Sequence, residues 1–200
     1  MELVDTHGLG PCAQKAWRFK SSPRHQLLNN MIKPKEFKKL IDLTYEAHQE
    51  KCTRKEFRQE GKVPFVVHPL WCALMLLNDT RIPFEERELG YQVLLLHDFL
   101  EDTSQKIPDY INPKVVNLVK EMTHQFWEEE KAIDEKSDFV KLLKLCDKLA
   151  SLYDENIRPD PKRRREWKKL IERLLSAVQK KYGNIRIVTM AKALLEETDW

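Results

Sequence analysis

Midway along the 200-residue chain, His97 and Asp98 sit side by side in the run YQVLLLHDFLE, a helical pattern apolar on nearly every side. An imidazole and a carboxylate buried together cost several kcal/mol unless something binds both, and a metal ion would. Taken alone, such a pair is more often a core histidine satisfied by a carbonyl beside an aspartate capping a neighbouring helix. Four residues on, however, stand Glu101 and Asp102. At roughly 3.6 residues per turn, 97 aligns with 101 and 98 with 102. Carboxylates gathered in this way repel one another and raise one another's pKa unless a cation offsets the charge.

Two further residues complete a donor set. His68 precedes Pro69 after an apolar approach, and Asp147 is embedded in VKLLKLCDKLASL. Separately each has an ordinary explanation: a helix cap for the histidine, an ion pair with Lys148 for the aspartate. Together, His68, His97, Asp98 and Asp147 make a mixed nitrogen and oxygen site. Such a site suits manganese, iron or zinc and leaves positions open for water and a phosphate oxygen. Glu101, one turn from the HD pair, is the first choice for general base, and Asp102 is able to share that role.

The elements that must carry these groups are helical. Five glycines against ten prolines, with many Leu, Lys and Glu, favour helices joined by proline-marked turns. The periodicity predicts a first helix from Pro34 to about Glu60, broken by GKVPFVV, and a second from after His68 to about Asn78. A central third helix covers Glu85 to Asp102, and a fourth runs from Pro113 to about Phe126. An exposed loop, WEEEKAIDEKSD, leads to a fifth helix over DFVKLLKLCDKLASLYDEN. Two more follow, Pro161 to about Tyr182 and Asn184 to about Glu197, with Gly183 as the stop between them. The expected fold is an all-α, single-domain bundle with the metal site between its central helices.

Bulk properties narrow the classes. The chain is 42% hydrophobic and 34% charged, ordinary for a globular protein, and its net charge of +3 is too mild to argue for nucleic acid. No apolar run approaches the roughly 20 residues of a membrane span. Cys12, Cys52, Cys72 and Cys146 form no CxxC pair and read as free thiols of a reduced, cytoplasmic compartment, with Cys146 a packing residue. Residues 1–30 lack helical periodicity and read as a disordered tail or a misassigned extension, with the domain proper over 31–200. The string ELVDTHGLGPCAQKAWRFKSSPRHQ also resembles the conceptual translation of a transfer-RNA gene, which predicts that translation begins near Met31.

HPLWCALML, LLHDFLEDT and VKLLKLCDKLASL resemble, in order and spacing, the HPxxVAxIL, LLHDxxEDT and VKLADxLxNL motifs of the RelA/SpoT-type HD hydrolases. The likeness covers about Leu43 to Asn156, and the EDT extension makes it more specific than HD-domain membership in general. It implies a small alarmone hydrolase that uses manganese to remove the 3′-pyrophosphate of (p)ppGpp in the stringent response. It also implies His68, His97, Asp98 and Asp147 as metal ligands and Glu101 and Asp102 as the acids that position or activate water. The remaining C-terminal residues leave no room for a synthetase-like domain, so the expectation is a hydrolase alone.

Departures bear on the substrate. Ser151 stands where the motif has asparagine, and the stretch before the HP segment is longer than usual. Arg58, Lys148 and Ser151 are the candidate substrate-binding residues. Arg54 and Lys55 rival Arg58, and the run Lys162, Arg163, Arg164 and Arg165 is a further basic candidate. His48 resembles a family histidine and is assigned a structural role. Two other functions stay open: an HD phosphohydrolase acting on a different nucleotide, and a non-catalytic nucleotide-binding module. In each the partner is a small nucleotide rather than nucleic acid or membrane.

Overall fold

The computed structural model describes residues 33–50, 57–58, 63–124, 132–152 and 161–198. All belong to the unit Ile32–Trp200. Residues 1–30, with Cys12, and also Cys52, Arg54 and Lys55 lie outside the described residues.

The fold is all-α. Helix α1 spans Pro34–Glu50, α2 Val67–Asn78, α3 Phe84–Leu96, α4 Phe99–Asp102, α5 Pro113–Met122, α6 Asp138–Leu152, α7 Pro161–Tyr182 and α8 Arg186–Glu197. The expected run of the first helix to Glu60 is corrected. Phe57–Arg58 form a short strand, β1, antiparallel to β2 at Val63–Pro64, with Phe57 opposite Pro64 and Arg58 opposite Val63. Aromatic and β-branched side chains suit an extended pair, and Pro64 brings no N–H with which to continue a helix. Part of the expected loop is corrected too: 132–135 make one 3-10 turn, from which Ile133 enters the core.

Helix starts and stops follow from local chemistry. Asn112 Oδ1 accepts from the Lys114 N–H at 2.9 Å ahead of Pro113, a capped start with proline in the first turn. Gly183, at φ 71°, ends α7, and its N–H donates to the Gln179 carbonyl at 2.9 Å. Helix α2 begins at Val67, one residue before His68, so that histidine lies within its first turn.

Helix α3 packs against α1, α2, α5 and α6, and α6 in turn meets α2, α7 and α8. Leu94, Leu95, Leu96 and Phe99 are buried against Leu142, Leu143, Leu145 and Leu149 in one core. The helices pack tightly at Gly90. A Cβ there would stand 2.3 Å from Leu76 Cδ2 on α2 and 3.0 Å from Leu143 Cδ2 on α6. Among the described residues, no helix is long and apolar enough to cross a membrane.

Candidate metal centre

The expected single third helix is interrupted where the chemistry lies. Helix α3 ends at Leu96, His97 and Asp98 form a turn, and α4 resumes at Phe99. The His97 Nδ1–H donates to the Leu94 carbonyl at 2.7 Å. Asp98 lies at φ −86°, ψ −4°, the bridge region between helix and turn. The Asp102 N–H still donates to the Asp98 carbonyl at 2.8 Å, so the expected one-turn relation of 98 to 102 survives the break.

Three helices bring four donors together. His68 comes from the first turn of α2, His97 and Asp98 from the α3–α4 turn, and Asp147 from the middle of α6. His68 Nε2 stands 3.8 Å from Asp98 Oδ2 and 3.3 Å from Asp147 Oδ1. His97 Nε2 stands 3.2 Å from Asp98 Oδ1 and 3.6 Å from the same Asp147 oxygen. The two imidazole centroids are 5.3 Å apart, and all four side chains are buried. Because the His97 Nδ1 proton is engaged by a carbonyl, the neutral ring presents its Nε2 lone pair to the carboxylates, and a proton or a metal ion is what that nitrogen can take up. That nitrogen is buried with no hydrogen-bond partner. An orphaned imidazole nitrogen facing two carboxylates and a second imidazole fits a divalent cation, with the Leu94 carbonyl as the outer group that orients the ligand.

The electrostatics point the same way. Burial alone would depress the His97 pKa, but Asp98 and then Asp147 outweigh it and raise it to about 9. The site attracts positive charge at this nitrogen. Burial would raise Asp147, yet Lys148 and Lys144, followed by the two histidines, hold it well below the usual carboxylate range. Each lysine Nζ stands 3.5 Å from Asp147 Oδ2, and both lysines are buried.

The acids after the HD pair take different positions. Asp102 is fully buried, whereas Glu101 is half-buried, and its Oε1 accepts from the His124 N–H at 2.6 Å. Burial raises the Glu101 pKa, Lys144 opposes that, and Asp98 adds to it. Of the substrate-binding candidates, Lys148 lies beside Asp147, with Nζ 5.1 Å from the Trp167 ring centre of α7. Ser151 is buried one turn beyond Asp147 on α6. Arg58 lies on β1, in the hairpin that leads to Phe65 and His68. Of the basic run, Lys162 and Arg165 are exposed and Arg164 is partly buried, one turn before Trp167. His48, with Nδ1 2.7 Å from the Thr44 carbonyl, stacks on Phe65 at 4.3 Å, and Phe65 in turn stands 6.4 Å from the His68 ring.

The chain superposes on a metazoan orthologue of SpoT, a protein that hydrolyses ppGpp and plays a role in starvation responses. The TM-score is 0.63 at 20% identity, over 81% of this chain and 94% of the other. The fold is a SpoT-like HD-domain fold. No family model and no curated protein matches the chain.

Three residues at this candidate centre were not singled out by the sequence. Cys72 lies one turn after His68, with Sγ 3.9 Å from His68 Nε2. Its signal was the four-residue spacing of HPLWC, which places imidazole and thiol on one face. Lys144 was legible as a lysine three residues before Asp147. His124 had no local signal, because its neighbour Glu101 is distant in sequence.

Proposed function

We propose that the chain is a metal-dependent phosphohydrolase of the HD type, with His68, His97, Asp98 and Asp147 as the ligands. The observation that carries this reading is the orphaned, buried Nε2 of His97, which faces Asp98 at 3.2 Å and Asp147 at 3.6 Å, with the His68 ring centre 5.3 Å from its own. The cation is divalent, and the likeness to the RelA/SpoT motifs favours manganese. When bound, it lowers the pKa of a coordinated water and offsets charge that develops on the phosphoryl group.

The chain's own groups supply the rest. Glu101, half-buried and with a raised pKa, takes the proton of the attacking water at a carboxylate oxygen, while the His124 N–H fixes the orientation of that carboxylate. Asp102 supports the same turn from its buried position. Lys144 and Lys148 keep Asp147 ionised and bring two cations to the edge of the centre, where phosphate oxygens gather. Ser151 on α6 and Arg58 on the hairpin complete the substrate contacts. The buried surroundings of α3 and α6 lower the local dielectric around the donors, which strengthens each of these interactions.

The substrate is (p)ppGpp, cleaved at the 3′-pyrophosphate. The EDT extension and the likeness to a ppGpp-hydrolysing fold support this choice. Ser151 in place of asparagine favours a second reading, an HD phosphohydrolase for another nucleotide in the cytoplasm. The test is release of pyrophosphate from guanosine tetraphosphate, beside a panel of nucleotides, with manganese, with zinc and with chelator, using Asp98→Ala as control. Pyrophosphate from the tetraphosphate, lost with chelator and with the variant, is the expected result. Metal-dependent turnover of another nucleotide alone would keep the centre and replace the substrate, and no turnover of any nucleotide would overturn the enzyme.

A further inference from the structure

Cys72 occupies a place in the centre that the phosphohydrolase reading does not use. It is fully buried on α2, and its Sγ stands 3.9 Å from His68 Nε2, the nitrogen that also faces Asp98 and Asp147. The donor atoms of His68, Cys72 and His97 all lie within 4.8 Å of one another. Imidazole nitrogen and thiolate sulfur bound to one tetrahedral ion, at about 2.0–2.1 and 2.3 Å, stand about 3.6 Å apart. The observed separation therefore needs only a few tenths of an ångström to become joint ligation. HPLWCALML carries this thiol where the motif HPxxVAxIL has valine, a side chain with no donor.

We infer that Cys72 is a soft donor of this metal centre, joining His68 and His97 as a thiolate and shifting the site toward a thiophilic divalent cation of the zinc class. The inference rests on the metal-centre reading above. Carboxylates and water serve manganese, whereas thiolate with imidazole serves zinc and cobalt. Ligation releases the thiol proton to solvent as the sulfur–metal bond forms. The rival explanation of the same distance is a weak hydrogen bond between thiol and imidazole, and the two differ in what a bound metal reports.

The test is the absorption spectrum of the full chain loaded with one equivalent of cobalt(II). A near-ultraviolet thiolate-to-cobalt charge-transfer band is expected, lost in both Cys72→Val and Cys72→Ser. It persists in a chain whose other cysteines are replaced (Cys12→Ser, Cys52→Ser, Cys146→Ser). In competition, zinc should displace cobalt where manganese does not, and Cys72→Val should narrow that preference by about tenfold or more. X-ray absorption on the zinc-loaded wild type, which needs no variant to fold, should show a sulfur shell at about 2.3 Å. Visible cobalt bands without the charge-transfer band would leave a nitrogen and oxygen centre intact and overturn the role of Cys72. Failure to take up cobalt, zinc or manganese at all would overturn the centre together with its thiolate.

Discussion

The Nδ1–H of His97 is held by the Leu94 carbonyl at 2.7 Å, three residues earlier on the same helix. The backbone thereby sets which nitrogen is left as a donor and orients the ring toward the carboxylates. His97→Ala should abolish stoichiometric binding of a divalent cation in titration calorimetry while leaving the far-ultraviolet circular dichroism unchanged. His97→Gln, which lacks the aromatic donor geometry, should not restore it. Wild-type affinity in either variant would remove His97 from the ligand set.

Asp147 opposes two buried cations, Lys144 and Lys148, each with Nζ 3.5 Å away. Asp147→Asn removes the negative charge and leaves both ammonium groups without it, at a cost of about 3–5 kcal/mol in the metal-free protein. Urea denaturation in the presence of chelator measures this. Adding Lys144→Met to the variant should recover a large part of the loss without recovering metal binding. Additive losses in the double variant would mean that the pair is not coupled.

Glu101→Gln keeps an acceptor for the His124 N–H but cannot take a proton from water. The expected result is a fall in kcat of about 100- to 10,000-fold, with KM and metal stoichiometry little changed. A fall of less than about tenfold, well below that range, would transfer the role to Asp102 and make Asp102→Asn the informative variant.

His124 offers a pH signature. Burial first, then Lys144 and Lys148, lower its pKa from 6.5 to about 3, so the folded protein holds it neutral where the unfolded chain becomes protonated. Above about pH 7.5 both states are neutral and the residue contributes no slope. As pH falls from there toward 3, the unfolded state takes up a proton that the folded state refuses, and stability is lost. His124→Asn, measured with chelator present, should lose less stability than wild type between about pH 7.5 and 5, a window that brackets the ordinary imidazole pKa of about 6.5. Parallel curves for the two proteins would show that the imidazole titrates normally.

The four candidate donors that the structure brings together were legible in the sequence because each had a local reason to be conspicuous: polar groups in apolar runs at helical spacing. Helix α7 was legible for the same reason, with Pro161 and Gly183 marking its ends. What escaped depended on tertiary context. The hairpin of Phe57–Arg58 with Val63–Pro64 lay under a charged, helix-compatible pattern. The break at His97 required knowing that the imidazole reaches back to Leu94. Ile133, inside an acidic and lysine-rich stretch, could be assigned to the core only once α7 was in place, with Arg173 pairing with Asp134 beside it. Cys72 read only as a free thiol, because a thiol on an apolar helix usually behaves as a small hydrophobe.

Gly90 carries no donor, yet it lies where α3 meets both α2 and α6, about two turns from His97. The helix holding one histidine, the helix ending at the other and the helix holding Asp147 thus pivot on a missing methyl group. Alanine at this position would gain about 1 kcal/mol of helix propensity. It would also bring a carbon to 2.3 Å from Leu76 Cδ2 and 3.0 Å from Leu143 Cδ2, the ends of two buried leucine side chains that must shift to admit it. Those leucines belong to α2 and α6, so the adjustment falls on the two helices that carry His68 and Asp147. A residue with no side chain thereby shares its packing neighbours with two of the helices behind the candidate centre.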